Sequence, residues 1–239
     1  MAFQALQPAA YAAGQAAMDS QVRKFFQILQ QERNPFARAN AAQQLGILLA
    51  APHPVIPEVL TQLHATLLGD TNNQVRIMAA NAIARINQKP SVMKLMKAIS
   101  PNRGRTDVQL AIIRALGDMR QNSLETVPTL VRFLRSPNQY VREATVDALW
   151  KIRPKDPRVV QVLNQLLAEE EELVVMLTLT IVIADFKSSG SIPVLKRIVN
   201  DASANLDVKA HAQEALEKLA AAGIKPPPAK PAQAASTHH

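Results

Sequence analysis

The chain has 239 residues, of which 48% are hydrophobic, 19% charged and 4% aromatic, a balance that excludes a disordered chain. No apolar run approaches the roughly 20 residues of a membrane-spanning helix, and the absence of cysteine excludes a disulfide framework and any thiolate metal site. Lys and Arg number 27 against 19 Asp and Glu, and this formal charge of +8 brings nucleic acid, an anionic membrane or an acidic protein into view as partners.

Residues 1–18 are rich in Ala and Gln and lack the basic start and continuous apolar core of a signal peptide. They are expected to form a capping segment anchored by Phe3, Leu6 and Tyr11, or to stay mobile. Asp19 or Ser20 reads as the N-cap of the first proper helix.

From there a pattern repeats. It opens on a small or apolar residue, usually followed by a base, with apolar or small residues four, seven, eight and eleven positions on. The copies begin at Ala37, Val75, Val108, Val141, Val175 and Val208, in steps of 38, 33, 33, 34 and 33 residues. A full copy reads Val75-Arg76, Ala79, Ala82-Ile83, Ile86; the next reads Val108-Gln109, Ile112, Ala115-Leu116, Met119. Such offsets trace one face of a helix. A second amphipathic segment precedes the copies. Three of these segments open on Ile56-Pro57, Val127-Pro128 and Ile192-Pro193, where a proline in the first helical turn costs no hydrogen bond. Polar turns such as Gly69–Asn73, Ser136–Asn138 and Asn200–Ser203 join the two helices. A lone hairpin of this kind cannot bury its stripe, so the hairpins must stack. The expected fold is all-α, a right-handed α-solenoid of about six helical-hairpin repeats over residues 19–222. Gly223 ends the last helix, and residues 223–239, with Lys225-Pro226-Pro227-Pro228, are expected to be a disordered Pro/Ala-rich tail.

The proline-started first helix, the Asp/Asn-rich turn and the Val-Arg-x-x-Ala-x-x-Ala-Leu opening resemble the HEAT-repeat family, and within it the short phycobilisome-lyase-type HEAT-like repeats. The resemblance covers about residues 20–222. It implies that the base after the opening residue pairs with turn acids. Arg38, Arg76, Arg142 and Lys209 fit that role, with Asp70 and Asp201 as partners, whereas Gln109 and Met176 interrupt it.

Enzymes share this repeat style, but the residues they need are missing. Deoxyhypusine hydroxylases hold iron with His-Glu pairs. Here His53, His64 and His211 are followed by Pro54, Ala65 and Ala212. HEAT-like DNA glycosylases surround a flipped base with aromatic side chains, and this chain has one Trp and two Tyr. Phosphate loops, hydrolase elbows and zinc motifs are also absent. No catalytic residue, cofactor or metal is expected.

The charge is uneven. Residues 85–158 hold 15 bases and six acids, whereas residues 159–239 hold seven bases and nine acids. The basic rim comprises Lys94, Lys97, Arg103, Arg105, Arg132, Arg135, Arg153, Lys155 and Arg158. The acidic run Glu169–Glu172 reads as a solvated turn. On the inner face of the second helices, an apolar strip is expected from Ile77, Leu110, Ile113, Val146, Trp150 and Leu177, with Arg114 and Asp147 set into it. Trp and Arg are common interface anchors. The expected function is a non-enzymatic, cytoplasmic scaffold or adaptor that holds a protein partner of acidic and apolar character in its concave groove. Nucleic-acid backbone binding by the basic middle repeats is the alternative.

Overall fold

Each second helix begins two residues before the opening position of its repeat, at Pro35, Asn73, Thr106, Gln139, Leu173 and Leu206. The computed structural model describes residues 7–50 and 54–228, with side chains from Asp19 onward. Twelve α-helices and no strand occur among the described residues. Contacts divide the chain into two compact units that meet in sequence at Pro154 and Lys155. The repeat spacing by itself does not mark this division.

The first unit holds four hairpins: α1 (Gln7–Gln31) with α2 (Pro35–Leu48), α3 (Pro57–Gly69) with α4 (Asn73–Ile86), α5 (Lys89–Ala98) with α6 (Thr106–Asp118), and α7 (Val127–Phe133) with α8 (Gln139–Ile152). The second unit holds two: α9 (Pro157–Glu169) with α10 (Leu173–Val182), and α11 (Ile192–Asn200) with α12 (Leu206–Ala221). Short 3-10 turns, the longest at Arg120–Thr126, precede α6, α7 and α11 and follow α10.

The local causes are visible. Asn34, Asn72, Asn138 and Asn205 accept backbone N–H bonds at the start of α2, α4, α8 and α12. Asp156 does the same for α9 ahead of Pro157. Gly223, at φ +73°, follows the end of α12, and the Ile224 N–H reaches back to the Leu219 carbonyl. Asp19 and Ser20 start no helix, because α1 runs continuously from Gln7 through both. Phe3, Leu6 and the tail beyond residue 228 lie outside the described residues, as does the side chain of Tyr11.

The opening valines Val75, Val108, Val175 and Val208 are fully buried, as are Ala79, Ile83, Ile112 and Leu116. Within the first unit the second helices also pack against one another, α2 on α4, α4 on α6 and α6 on α8. Two glycines set how close they come. A Cβ on Gly46 would stand 2.6 Å from the Cα of Ala82, and one on Gly117 would stand 2.7 Å from the Cα of Ala148. Both glycines lie nine residues after their repeat's opening position, and both alanines seven residues after theirs.

The bases of the repeat bind the turns. Arg38 forms an ion pair with Asp70 at 2.8 Å. Arg76 is buried and donates to the carbonyls of Leu67 and Asp70 and to Asn102 Oδ1. Arg142 donates to the Ser136 carbonyl at 2.8 Å. Asp201 lies within the field of Lys209. Gln109 keeps one such bond without the charge, to the Ile99 carbonyl at 3.2 Å.

Candidate functional site

The second-helix face of the first unit is built from helices lying side by side, each exposing a narrow row of side chains. Asn81 of α4 and Arg114 of α6 are exposed, and Asp147 of α8 is half-buried at the corresponding place. Ile77 and Leu110 are half-buried, two residues after the opening positions of α4 and α6. Ile113 and Val146, expected in the strip, are 1% and 0% exposed and belong to the core. The close approach of α4, α6 and α8 covers them. Leu177 is half-buried on α10, in the second unit.

The exposed part of this face is laced by charge. Arg114 pairs with Glu143 at 3.3 Å, and the Lys151 ammonium lies 2.9 Å from carboxylates of both Asp118 and Asp147. Burial lowers the Lys151 pKa, but the two carboxylates more than offset this, so the group is held above its usual range. Trp150, half-buried at the end of the face, lies beneath the Arg153 guanidinium at 5.9 Å from the ring centroid. The face is therefore a charge-paired ladder with apolar patches, rather than a continuous apolar strip.

The basic rim separates into used and unused charge. Arg105 is half-buried and donates to Asn73 Oδ1 at 2.9 Å, and Arg158 grips Asp156 at 2.8 Å. Lys155 and Arg158 lie in the second unit. By contrast Lys89, Lys94, Lys97, Arg103, Arg120, Arg132 and Arg135 are exposed and form no ion pair among the described residues. All seven lie on first helices or connecting turns. Four of them, Lys89, Lys94, Lys97 and Arg132, lie on first helices, whereas Arg85, exposed at the end of α4, is a second-helix base that likewise forms no ion pair among the described residues.

One set of surface residues is absent from the sequence expectations. Leu173 and Leu206 are the first residues of α10 and α12 in the second unit, and they are 44% and 81% exposed. The corresponding positions in the first unit are Pro35, Asn73, Thr106 and Gln139. The signal was present in the sequence as a leucine two residues before the last two opening valines. It lay outside the helical face from which the strip was read.

Among the described residues no cluster of His, Asp and Glu could hold a metal ion. No helix there is long and apolar enough to cross a membrane.

A family model for HEAT repeats matches residues 22–106 and 92–181. The chain belongs to the HEAT-repeat family. No curated protein matches it. Among solved structures, a designed armadillo repeat protein in complex with the peptide (KR)4 is similar to this HEAT-repeat protein at a TM-score of 0.53, with 21% identity over 82% of this chain and 98% of that one. The Escherichia coli protein YibA is similar at a TM-score of 0.50, with 15% identity over 86% of this chain and 96% of that one. Human deoxyhypusine hydroxylase in complex with glycerol aligns at a TM-score of 0.49, with 15% identity over 87% and 88% of the two chains. The likeness to the first two speaks for the fold alone.

Proposed function

We propose that this HEAT-repeat protein is a non-enzymatic, cytoplasmic scaffold or adaptor, an assembly factor or complex subunit, that captures a protein partner on the second-helix face of its first unit. The observations that carry this reading are Ile77 and Leu110, half-buried at corresponding places on α4 and α6, and Trp150, half-buried near the end of α8, on helices that turn Asn81, Arg114 and Asp147 outward. Half-buried apolar side chains edged by polar ones are what a partner helix or extended segment needs for anchoring and register. An acidic and apolar partner would have to exchange its carboxylates for Glu143, Asp118 and Asp147, which already pair with Arg114 and Lys151, so the apolar side chains carry the recognition. The designed armadillo repeat protein of similar fold in complex with the peptide (KR)4 supports a helical stack that holds a peptide, but that peptide is basic and does not speak for an acidic partner.

The test is affinity purification from the source cell with wild-type protein and with Trp150→Ala/Leu110→Ser, after circular dichroism shows both folded. The expected result is a protein recovered with the wild type and lost with the double variant. Equal recovery with both would remove this face from the function.

A second reading is favoured by the seven exposed bases of α5, α7 and their turns, which form no ion pair. In it, Lys94, Lys97, Arg103, Arg132 and Arg135 contact nucleic-acid phosphates. Affinity would then fall steeply with salt as counterions are released. Failure to bind duplex or single strand at about 50 mM salt, where such contacts are strong, would eliminate it.

A further inference from the structure

The second unit has an apolar edge of its own. Leu206 starts α12, but the cap there is Asn205, whose Oδ1 accepts from the N–H groups of Asp207 and Val208. Nothing in the folding of that turn asks for a leucine, and it is 81% exposed. Leu173 stands at the same position in the preceding repeat and lines a groove of about 560 Å³ between the α9–α10 turn and the α11–α12 turn. Leu167, Met176, Val194 and Ile198 line the same groove, with carboxylates from Glu171 and Asp201. Large apolar side chains held in water beside a preformed groove of mixed apolar and acidic lining mark an interaction surface.

The surrounding charge selects the partner. Glu170, Glu171 and Asp201 line the groove against a single base, Arg197, and Glu169, Glu172 and Asp207 adjoin them in the same two turns. The Ser203 hydroxyl and N–H hold the Asp201 carboxyl below its usual range, which keeps it ionised. An acidic or phosphate-bearing ligand would be repelled here.

Spacing selects its shape. α10 and α12 pack against each other, and packed helices have axes about 8–10 Å apart. The first turns of two such helices are thus spaced on the scale of the rise of about 10.5 Å over seven residues of an α-helix.

We propose that this edge docks a basic amphipathic helix of a partner protein. Its apolar residues at i and i+7 rest on Leu173 and Leu206, the intervening i+3 or i+4 residue enters the groove, and its Lys or Arg side chains face Glu171, Glu172, Asp201 and Asp207. The site is independent of the second-helix face of the first unit and selects the opposite charge.

The experiment measures fluorescence anisotropy of a labelled Leu/Lys helix, with leucines at i, i+3, i+4 and i+7, titrated with the full-length protein. Leu173→Ser/Leu206→Ser is expected to weaken binding about tenfold or more, as loss of a paired interface anchor does, with an unchanged unfolding midpoint. Glu171→Gln/Glu172→Gln should weaken it about threefold and flatten its salt dependence. Trp150→Ala should bind the helix as the wild type does, which separates this site from the first-unit face. Unchanged affinity in the leucine variant, or equal affinity for a Leu/Glu helix, would overturn the proposal. Sedimentation showing self-association of the wild type that disappears in Leu206→Ser would also overturn it, by assigning the edge to a second copy of the chain.

Discussion

Arg38 and Asp70 meet in a two-pronged ion pair, Nε to Oδ2 at 2.8 Å and Nη2 to Oδ1 at 2.9 Å, which ties α2 to the turn of the following repeat. Asp70 also accepts the Asn72 N–H at 2.9 Å. Burial would raise the Asp70 pKa, but the Arg38 hydrogen bonds, the Asn72 N–H and the charges of Arg38 and Arg76 outweigh it and hold the carboxyl below its ordinary range. The stabilisation is therefore complete above the unfolded carboxylate pKa and is lost as pH falls through the lower folded value. Asp70→Asn should cost about 2 kcal/mol at neutral pH, the scale of a lost charge-assisted hydrogen bond, and make stability less sensitive to acid. Urea titrations at neutral pH and near pH 3, in the carboxylate range, would measure both.

Arg76 binds three elements at once. Its guanidinium serves the Leu67 carbonyl at the end of α3 and the Asn102 amide beyond α5, and Asn102 in turn donates to the Ala98 carbonyl at 2.8 Å. Asn102→Leu removes an acceptor from a buried cation and a donor from a helix end. A loss of about 2–3 kcal/mol is expected, as for a buried charged group left short of a partner. A thermal unfolding midpoint equal to wild type would show that the network carries no stability.

The glycine seams predict an inversion of helix propensity. Alanine in place of glycine inside a helix ordinarily stabilises by about 0.5–1 kcal/mol. At Gly46 and Gly117 the new methyl would meet the backbone of Ala82 or Ala148, which cannot swing aside. Gly46→Ala and Gly117→Ala should therefore destabilise by about 1–3 kcal/mol, the range of overpacked cores. Gly104→Ala, with nothing within 4 Å of the new Cβ, should be tolerated. Calorimetry of the three variants would decide it.

His64 sets an acid limit. Its Nε2 lies 3.1 Å from Ser91 Oγ across the α3–α5 contact. Burial first, and then the Lys94 charge, lower its pKa to about 4. Free histidine titrates near 6.5, so between the two values the unfolded chain binds a proton that the folded chain does not. Stability contributed by neutral His64 is full above about pH 6.5 and falls as the medium is acidified towards about pH 4. His64→Gln should flatten that slope. An unchanged slope would place the acid sensitivity elsewhere.

The repeat register, the helix bounds near each opening residue and the proline starts were legible in the sequence. They depend on residues a few positions apart, and helix periodicity, capping and proline geometry act over that range. The turn-binding bases were legible only through the family resemblance, since Arg38 reaches Asp70 in the next repeat. Val75, Ala79 and Ile83 announce a buried stripe without knowledge of what covers it. The partner face was only half legible. Ile113 and Val146 point away from their own first helices, as Ile77 and Leu110 do. They lie on α6 and α8, which Gly117 lets approach almost backbone to backbone against Ala148.

What the sequence determined alone is a HEAT-type succession of hairpins and the location of the excess charge between residues 85 and 158. Only the tertiary structure decided which of those charges remain unpaired. Arg114 and Lys151 find carboxylates on neighbouring second helices, whereas Lys94, Lys97 and Arg132 on the first helices find none. It also separated two units behind one unbroken repeat and exposed Leu206 on the second. Burial and ion pairing depend on which surfaces stacked helices bring together, and those surfaces come from residues some 33 positions apart in the chain.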